Sequence, residues 1–354
     1  MNMMSERELR SSWSGTVASR GSGVRSIGFA VVAAVGLFLS MPIMMLMGGC
    51  QSEDAEDDAA TAGAEQERPV VMTTFYPTTY FVERIAGDTV EVMCPLPEGE
   101  DAKTWQPSES VIAEFQQADL IVINGADFEG WVTNASLPQD RLVDSARPMA
   151  HNFLQMEEVT HSHGPGGEHT HAGIDPHTWM DPVMAKTQAR RIADALIERY
   201  GDHQELYETN FAELAADLDR LDARMQSLTP MIEEAAVFAS HPAYNYPAAR
   251  YGWEIHNVFV DPGAPISDDA LHDIGHVFES EELALKFPRI MLFEERPLPE
   301  VQEQLESDFT IRTVIFSPAE SRSSVAELGG EQMDYLTVMQ ENVNRFERAL
   351  ATQG

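Results

Sequence analysis

Cysteine and basic charge are what this 354-residue chain has least of. It carries two cysteines, Cys50 and Cys94. Cys50 closes an amino-terminal export segment, which leaves Cys94 without a partner and excludes a disulfide framework. A single remaining thiol cannot build a thiolate metal site either. Lys and Arg number 23 against 58 Asp and Glu, for a formal charge of −35. Such a surface repels phosphates, so nucleic acid is excluded as a partner. Its ordinary meaning is solubility, and it carries little functional information beyond that. No internal sequence repeat is found. His-Glu-x-x-His, a nucleophile elbow and a glycine-rich phosphate loop are all missing, so the chain is not expected to be an enzyme.

What is present begins with an address. Arg7, Arg10, Arg20 and Arg25 precede an apolar run from Ile27 to Met47, followed by Gly48-Gly-Cys50. A positive region, an apolar region and small residues before a cleavage point describe a secretory signal. The Gly-Gly-Cys ending resembles the lipobox of bacterial lipoproteins, which makes Cys50 the expected lipidation site, although Met47 stands where leucine is usual. The run is also long enough to span a bilayer, so an uncleaved anchor is the alternative. Either route places the body outside the cytoplasm. Residues 51–66 hold many acids and no large apolar side chain, so they cannot bury enough surface to fold.

The expected organisation is a signal peptide over 1–49 and a lipidated cysteine with an acidic tether over 50–67. A first α/β lobe covers 68–182, a helical linker 183–230, and a second α/β lobe 231–354. The folded part, roughly 290 residues, is long enough for two cores.

Short β-rich runs alternate with helical patterns, which predicts an α/β fold of two lobes. Each lobe is a mainly parallel sheet flanked by helices. Strands are expected at 69–75, 89–94 and 119–124, then at 235–240, 254–260, 289–293 and 313–316. Leu120–Ile123 is a continuous apolar run, as in a strand covered on both faces. Asp181-Pro182 supplies an N-cap and a first-turn proline for a helix reaching Tyr200. Tyr207, Phe211, Leu214, Leu218, Leu221, Met225 and Leu228 alternate four and three apart, which predicts one long helix across both lobes.

Two motifs carry the chemistry. Asp175-Pro-His-Thr-Trp179 holds His177 between stiffening prolines, at the hand-over from the first lobe to the helical linker. Ser240-His241-Pro-Ala-Tyr-Asn-Tyr246 follows the second lobe's first strand. Neutral imidazole is the commonest metal ligand, and the placement lets both histidines face one cleft. A tract at 161–171 adds His161, His163, His169 and His171 among glycines, the composition of a mobile loop that collects metals weakly. His151, His203, His256, His272 and His276 lack such context and are expected to be surface or packed residues. Trp105, Trp131 and Trp179 are expected as core or cleft walls.

These motifs, in order with Thr73–Pro77, Ile85–Asp88, Ala118–Gly125, Trp131 and Met291–Glu294, resemble the zinc- and manganese-binding solute-binding lipoproteins of bacterial ABC importers. The resemblance covers residues from about Val70 to Leu350. It implies two lobes bridged by a long helix, metal held between them, and delivery to a membrane permease with its ATPase. It assigns His177, His241 and Glu294 as ligands, and its histidine loop favours zinc over manganese. One position departs: Lys103 stands where the family has a histidine, and an ammonium cannot coordinate. The late aspartate of some members is also replaced, with Ser317 in its place.

Three arrangements remain open at this level. Water or a nearby acid such as Glu129, Asp101 or Glu295 could complete the site, or a histidine of the 161–171 loop could fold in. In the third, tight metal binding is lost and Lys103 attracts an anion, leaving a binding or scaffold protein. A histidine site should weaken below about pH 6.5.

Overall fold

Each short apolar run becomes a strand because helices cover both of its faces. The computed structural model describes residues 68–162, 168–322 and 333–352, and between 157 and 172 the description extends to the backbone only. The export segment, the tether and His163 lie outside the described residues.

In the first lobe β1 (Val70–Thr73) leads into α1 (Tyr76–Ala86), then β2 (Glu91–Met93). Next come α2 (Glu109–Gln117), β3 (Leu120–Ile123) and β4 (Leu142–Asp144). Ser108 caps α2 by accepting the Val111 amide. The four strands are parallel in the order β2-β1-β3-β4. β4 was not expected; its pairing with β3 decides it. The histidine tract differs from expectation too. Its flanks form an antiparallel hairpin, β5 (Gln155–Ser162) with β6 (Glu168–Ile174), in a register that sets His161 opposite His169. Backbone pairing there overrides a composition that reads as loop.

The middle of the chain is helical. The Asp181 carboxylate accepts the amides of Val183 and Met184 and starts α3 (Pro182–Arg199) as expected. α4 (Gln204–Ser227) has 24 residues, a rod of about 36 Å. Its amino-terminal and middle turns face the first lobe, where Asn210 donates to the Ile85 carbonyl at 3.0 Å and Asp217 pairs with Arg84. Its last turns face the second lobe, where Asp222 accepts from the Tyr251 hydroxyl and Arg224 pairs with Glu347. α5 (Thr229–Glu233) then turns the chain into the second sheet.

The second lobe runs β7 (Ala236–Ala239), α6 (Asn245–Tyr251), β8 (Ile255–Asn257), α7 (Asp268–Val277) and α8 (Glu281–Leu285). It continues with β9 (Arg289–Phe293), α9 (Pro299–Phe309), β10 (Ile311–Ile315) and α10 (Tyr335–Leu350). The order is β10-β9-β7-β8, again parallel, so both lobes follow one topology without sharing a sequence repeat. The lobes are not separate bodies on a loose hinge. One apolar cluster includes Phe75 and Trp179 from the first lobe, Leu218 from α4, and Phe316, Tyr335 and Phe346 from the second. Trp179 Nε1 donates to the Pro318 carbonyl at 2.8 Å, and the Tyr335 hydroxyl donates to the Trp179 carbonyl at 2.6 Å. Among the described residues no helix is long and apolar enough to cross a membrane.

Candidate metal centre

Open parallel sheets gather ligand sites where the strand order reverses, beyond the carboxyl ends of the two central strands. In the second lobe those strands are β7 and β9. His241 follows the first and Glu294 the second, with Nε2 and Oε1 3.8 Å apart. In the first lobe the corresponding strands are β1 and β3, and Asn124 follows β3 directly. Asn124 does not face the metal position itself. Its Nδ2 donates to the Pro176 carbonyl at 3.0 Å and its Oδ1 accepts from Gln188 Nε2 at 2.8 Å. That pair of bonds suspends the Asp175–His177 segment from the sheet end.

His177 is 2% exposed and oriented from behind. Asp175 Oδ1 accepts both the His177 amide, at 3.0 Å, and His177 Nδ1, at 2.8 Å. With Nδ1 donating, the lone pair falls on Nε2, which turns toward His241 and Glu294. Asp175 Oδ2 is held in turn by Asn245 Nδ2 at 2.9 Å, and the Asp175 carbonyl by the Tyr246 hydroxyl at 2.7 Å, so the orienting group is anchored to the opposite lobe. Burial raises the Asp175 pKa, but His177 and Asn245 outweigh it and keep the carboxyl below its usual range. The imidazole rings of His177 and His241 meet edge to face at 5.6 Å. One donor atom each from His177, His241 and Glu294 lies within 4.8 Å of the others.

An acid beside the three-residue group was missed from sequence. The Ser317 hydroxyl is spent on backbone, accepting the Ala319 amide at 3.2 Å, while Asn342 binds the Ser317 amide at 3.0 Å and its carbonyl at 2.7 Å. The acid comes three residues later. Ala319 adopts a left-handed φ of 57°, and the Glu320 carbonyl accepts the Tyr76 amide at 3.1 Å. The Glu320 carboxylate thereby arrives 4.0 Å from His177 Nε2. A serine where aspartate is expected hid it; an acid shortly past a strand end is the signal that could have found it. In a tetrahedral zinc site with bonds near 2.1 Å, donors stand about 3.4 Å apart. The 3.8 and 4.0 Å gaps lie about half an ångström wider. Two imidazole nitrogens and one carboxylate oxygen, with a second carboxylate beside them, are donor types that zinc accepts.

The remaining candidates divide. Lys103 is partly buried in a turn whose leading residue, Asp101, accepts the amides of Lys103 and Thr104. Burial lowers the Lys103 pKa, while the charges of Asp175, Glu320, Asp101 and Glu294 raise it. The ammonium therefore belongs to the field of the site. Asp101 and Glu295 act at that range too: burial first, then these two carboxylates, raise Glu294. Burial and Glu294 raise Glu320 likewise.

Glu129 is a correction. It is 5% exposed, and its carboxylate accepts the Thr74 hydroxyl at 2.6 Å and the amides of Asn124 and Gly125 at 2.7 and 3.1 Å. Those bonds hold a turn in which Gly125, Ala126 and Asp127 all have left-handed φ. A Cβ at Gly125 would lie 1.9 Å from Asp144 Oδ1, so any larger residue there would displace the Asp144 side chain. Glu129 is thus spent on backbone and serves the sheet end, not the metal position. His276 pairs with Glu279 and stacks on His272, apart from the donor group. Trp105 and Trp131 pack on each other in the first lobe's core.

Buried acids give the metal-free protein a pH signature. Burial pushes Glu129 up from 4.5 to about 7, and Glu294 and Glu320 move the same way. A raised folded pKa means the folded state keeps a proton that the unfolded chain releases. The stability from that proton is complete below the unfolded pKa and is lost as pH climbs through the folded one. The metal-free melting temperature should therefore fall between about pH 5 and about pH 8, and Glu129→Gln should remove part of that slope. A calorimetric profile with identical slopes in both proteins would contradict the assignment.

Comparisons with known proteins identify relatives of this chain. The family model described as zinc-uptake complex component A, periplasmic, matches residues 71–349. The high-affinity zinc uptake system protein ZnuA of Bacillus subtilis is 27% identical over 320 residues, which are 89% of this chain and 97% of that protein. The zinc-binding lipoprotein AdcA of Streptococcus pneumoniae is 27% identical over 290 residues, 80% of this chain, which spans 56% of AdcA. Among solved structures, the metal-dependent lipoprotein YcdH from Bacillus subtilis superposes with a TM-score of 0.66 at 25% identity, covering 80% of this chain and 100% of that one. The Zn(II)-bound ZnuA-like domain of Streptococcus pneumoniae AdcA shares the fold at a TM-score of 0.66 and 23% identity, with the same coverage. With a match that runs through both sheets and the helices between them, this chain belongs to the zinc-uptake complex component A (ZnuA) family.

Proposed function

We propose that this chain is an extracytoplasmic solute-binding protein that captures zinc between its lobes and delivers it to an ABC permease and its ATPase. The observation that carries this reading is the convergence of His177, His241 and Glu294 on one point. Glu320, 4.0 Å from His177 Nε2, is the proposed fourth ligand, so two carboxylates would balance the charge of a divalent ion. Two imidazoles favour zinc, while the oxygen donors leave manganese as the competitor. Zinc-uptake relatives support the cargo and the partners. Cys50 is the proposed lipid attachment, with 51–67 as tether. His161, His163, His169 and His171 are the proposed collecting segment.

A second reading, the same fold without tight metal, draws on Lys103, whose charge lies in the field of the site. Calorimetric titration of the metal-free protein at about pH 7.5 separates the two. One zinc per chain with a Kd below about 1 μM, and weaker manganese, is the expected outcome. Absence of heat with either ion would leave the second reading standing.

A further inference from the structure

Acids outnumber bases 58 to 23 along the chain. Yet a cavity of about 410 Å³ in the second lobe is lined by Arg296, Arg312, Arg345 and Arg348, with no Asp or Glu in its lining. The arginines come from three places in the fold. Arg296 lies in the turn after β9, fixed where Gln302 Nε2 donates to the Pro297 carbonyl at 2.8 Å. Arg312 sits on β10, the edge strand of its sheet. Arg345 and Arg348 are three apart on α10 and so share one of its faces.

The bland account covers half of this. Arg345 and Arg348 both pair with Glu341, at 3.4 and 2.9 Å, and the carboxyl end of a helix favours cations. Neither reason reaches Arg296 and Arg312. They have no ion pair among the described residues, although the chain offers acids in excess. Arg296 and Arg312 therefore add positive charge to a lining that holds no acid, in a protein whose overall charge is −35. Like charges brought together from separate elements repel, and an anion between them relieves that repulsion. Guanidinium forks suit bidentate pairing with carboxylate or phosphate oxygens, and the volume suits a small molecule.

We propose that this cavity binds a small multivalent oxyanion, a phosphate or a polycarboxylate. It shares no residue with the metal centre, so it stands or falls independently of zinc capture. The test is calorimetry on the metal-free full-length protein at low salt, with pyrophosphate and tricarballylate as separate probes. One anion should bind per chain, and the tighter of the two probes identifies the chemical source. Arg312→Gln and Arg296→Gln, both at exposed positions, should each weaken it by about tenfold. Zinc affinity and the melting temperature should be unchanged. No binding by either probe up to about 10 mM, or equal affinity in the variants, would overturn the proposal. Binding of an acidic peptide such as hexaglutamate, with neither small anion bound, would overturn it as well and mark a protein-docking surface instead.

Discussion

His177→Ala should weaken zinc binding by at least about a hundredfold, beyond the loss usual for an outer-shell partner. The substitution removes one nitrogen donor and leaves Asp175 buried with its imidazole partner gone. His241→Ala removes the second nitrogen and should cost about as much. Asp175→Asn should be milder, about ten- to a hundredfold, because the ring stays and only its orientation and basicity suffer. That series distinguishes coordination from folding. A metal-free melting temperature unchanged in His241→Ala, which alters a partly exposed side chain, would place the loss at the metal. Equal zinc affinity in His177→Ala, His241→Ala and the parent protein would remove the interlobe site altogether.

Lys103→His should act in the opposite direction and tighten zinc binding by about a hundredfold or more. Two effects add. The ammonium that opposes a divalent ion is removed, and a neutral nitrogen donor takes its place. In the metal-free protein that ammonium also balances Glu294 and Glu320, so its loss raises the energy of the state that zinc must displace. Lys103→Met separates the two effects, because it deletes the charge without adding a donor. Its metal-free form should melt lower than the parent, and its zinc-induced rise in melting temperature should be larger. Weaker zinc binding in both variants would mean that the lysine assembles the carboxylates instead of competing with their cargo.

The residues explain how much was legible beforehand. Leu120–Ile123 reads as a covered strand because all four side chains are apolar, and all four are buried. Asp181-Pro182 reads as a helix start because capping is local chemistry, satisfied within three residues. β4 and the hairpin at 155–174 were not legible, since pairing with a distant strand or with the chain's own return decides them. Glu129 was misassigned for a related reason. A carboxylate near a sheet end can face either a metal or its own backbone, and only the fold of 124–129 shows that Thr74, Asn124 and Gly125 claim it.

The sequence by itself determined most of the elements, the two-lobe alternation and three candidate donors, because periodicity, capping and short motifs are properties of neighbours along the chain. The tertiary structure added Glu320 as a candidate. Glu320 lies near His177 where Asn342 holds the Ser317 backbone and the Tyr76 amide binds the Glu320 carbonyl, contacts between residues far apart in sequence. It also gave Lys103 its meaning. A lysine in a surface turn is unremarkable until Glu294 and Glu320 are folded around it, and electrostatic work depends on distance through space.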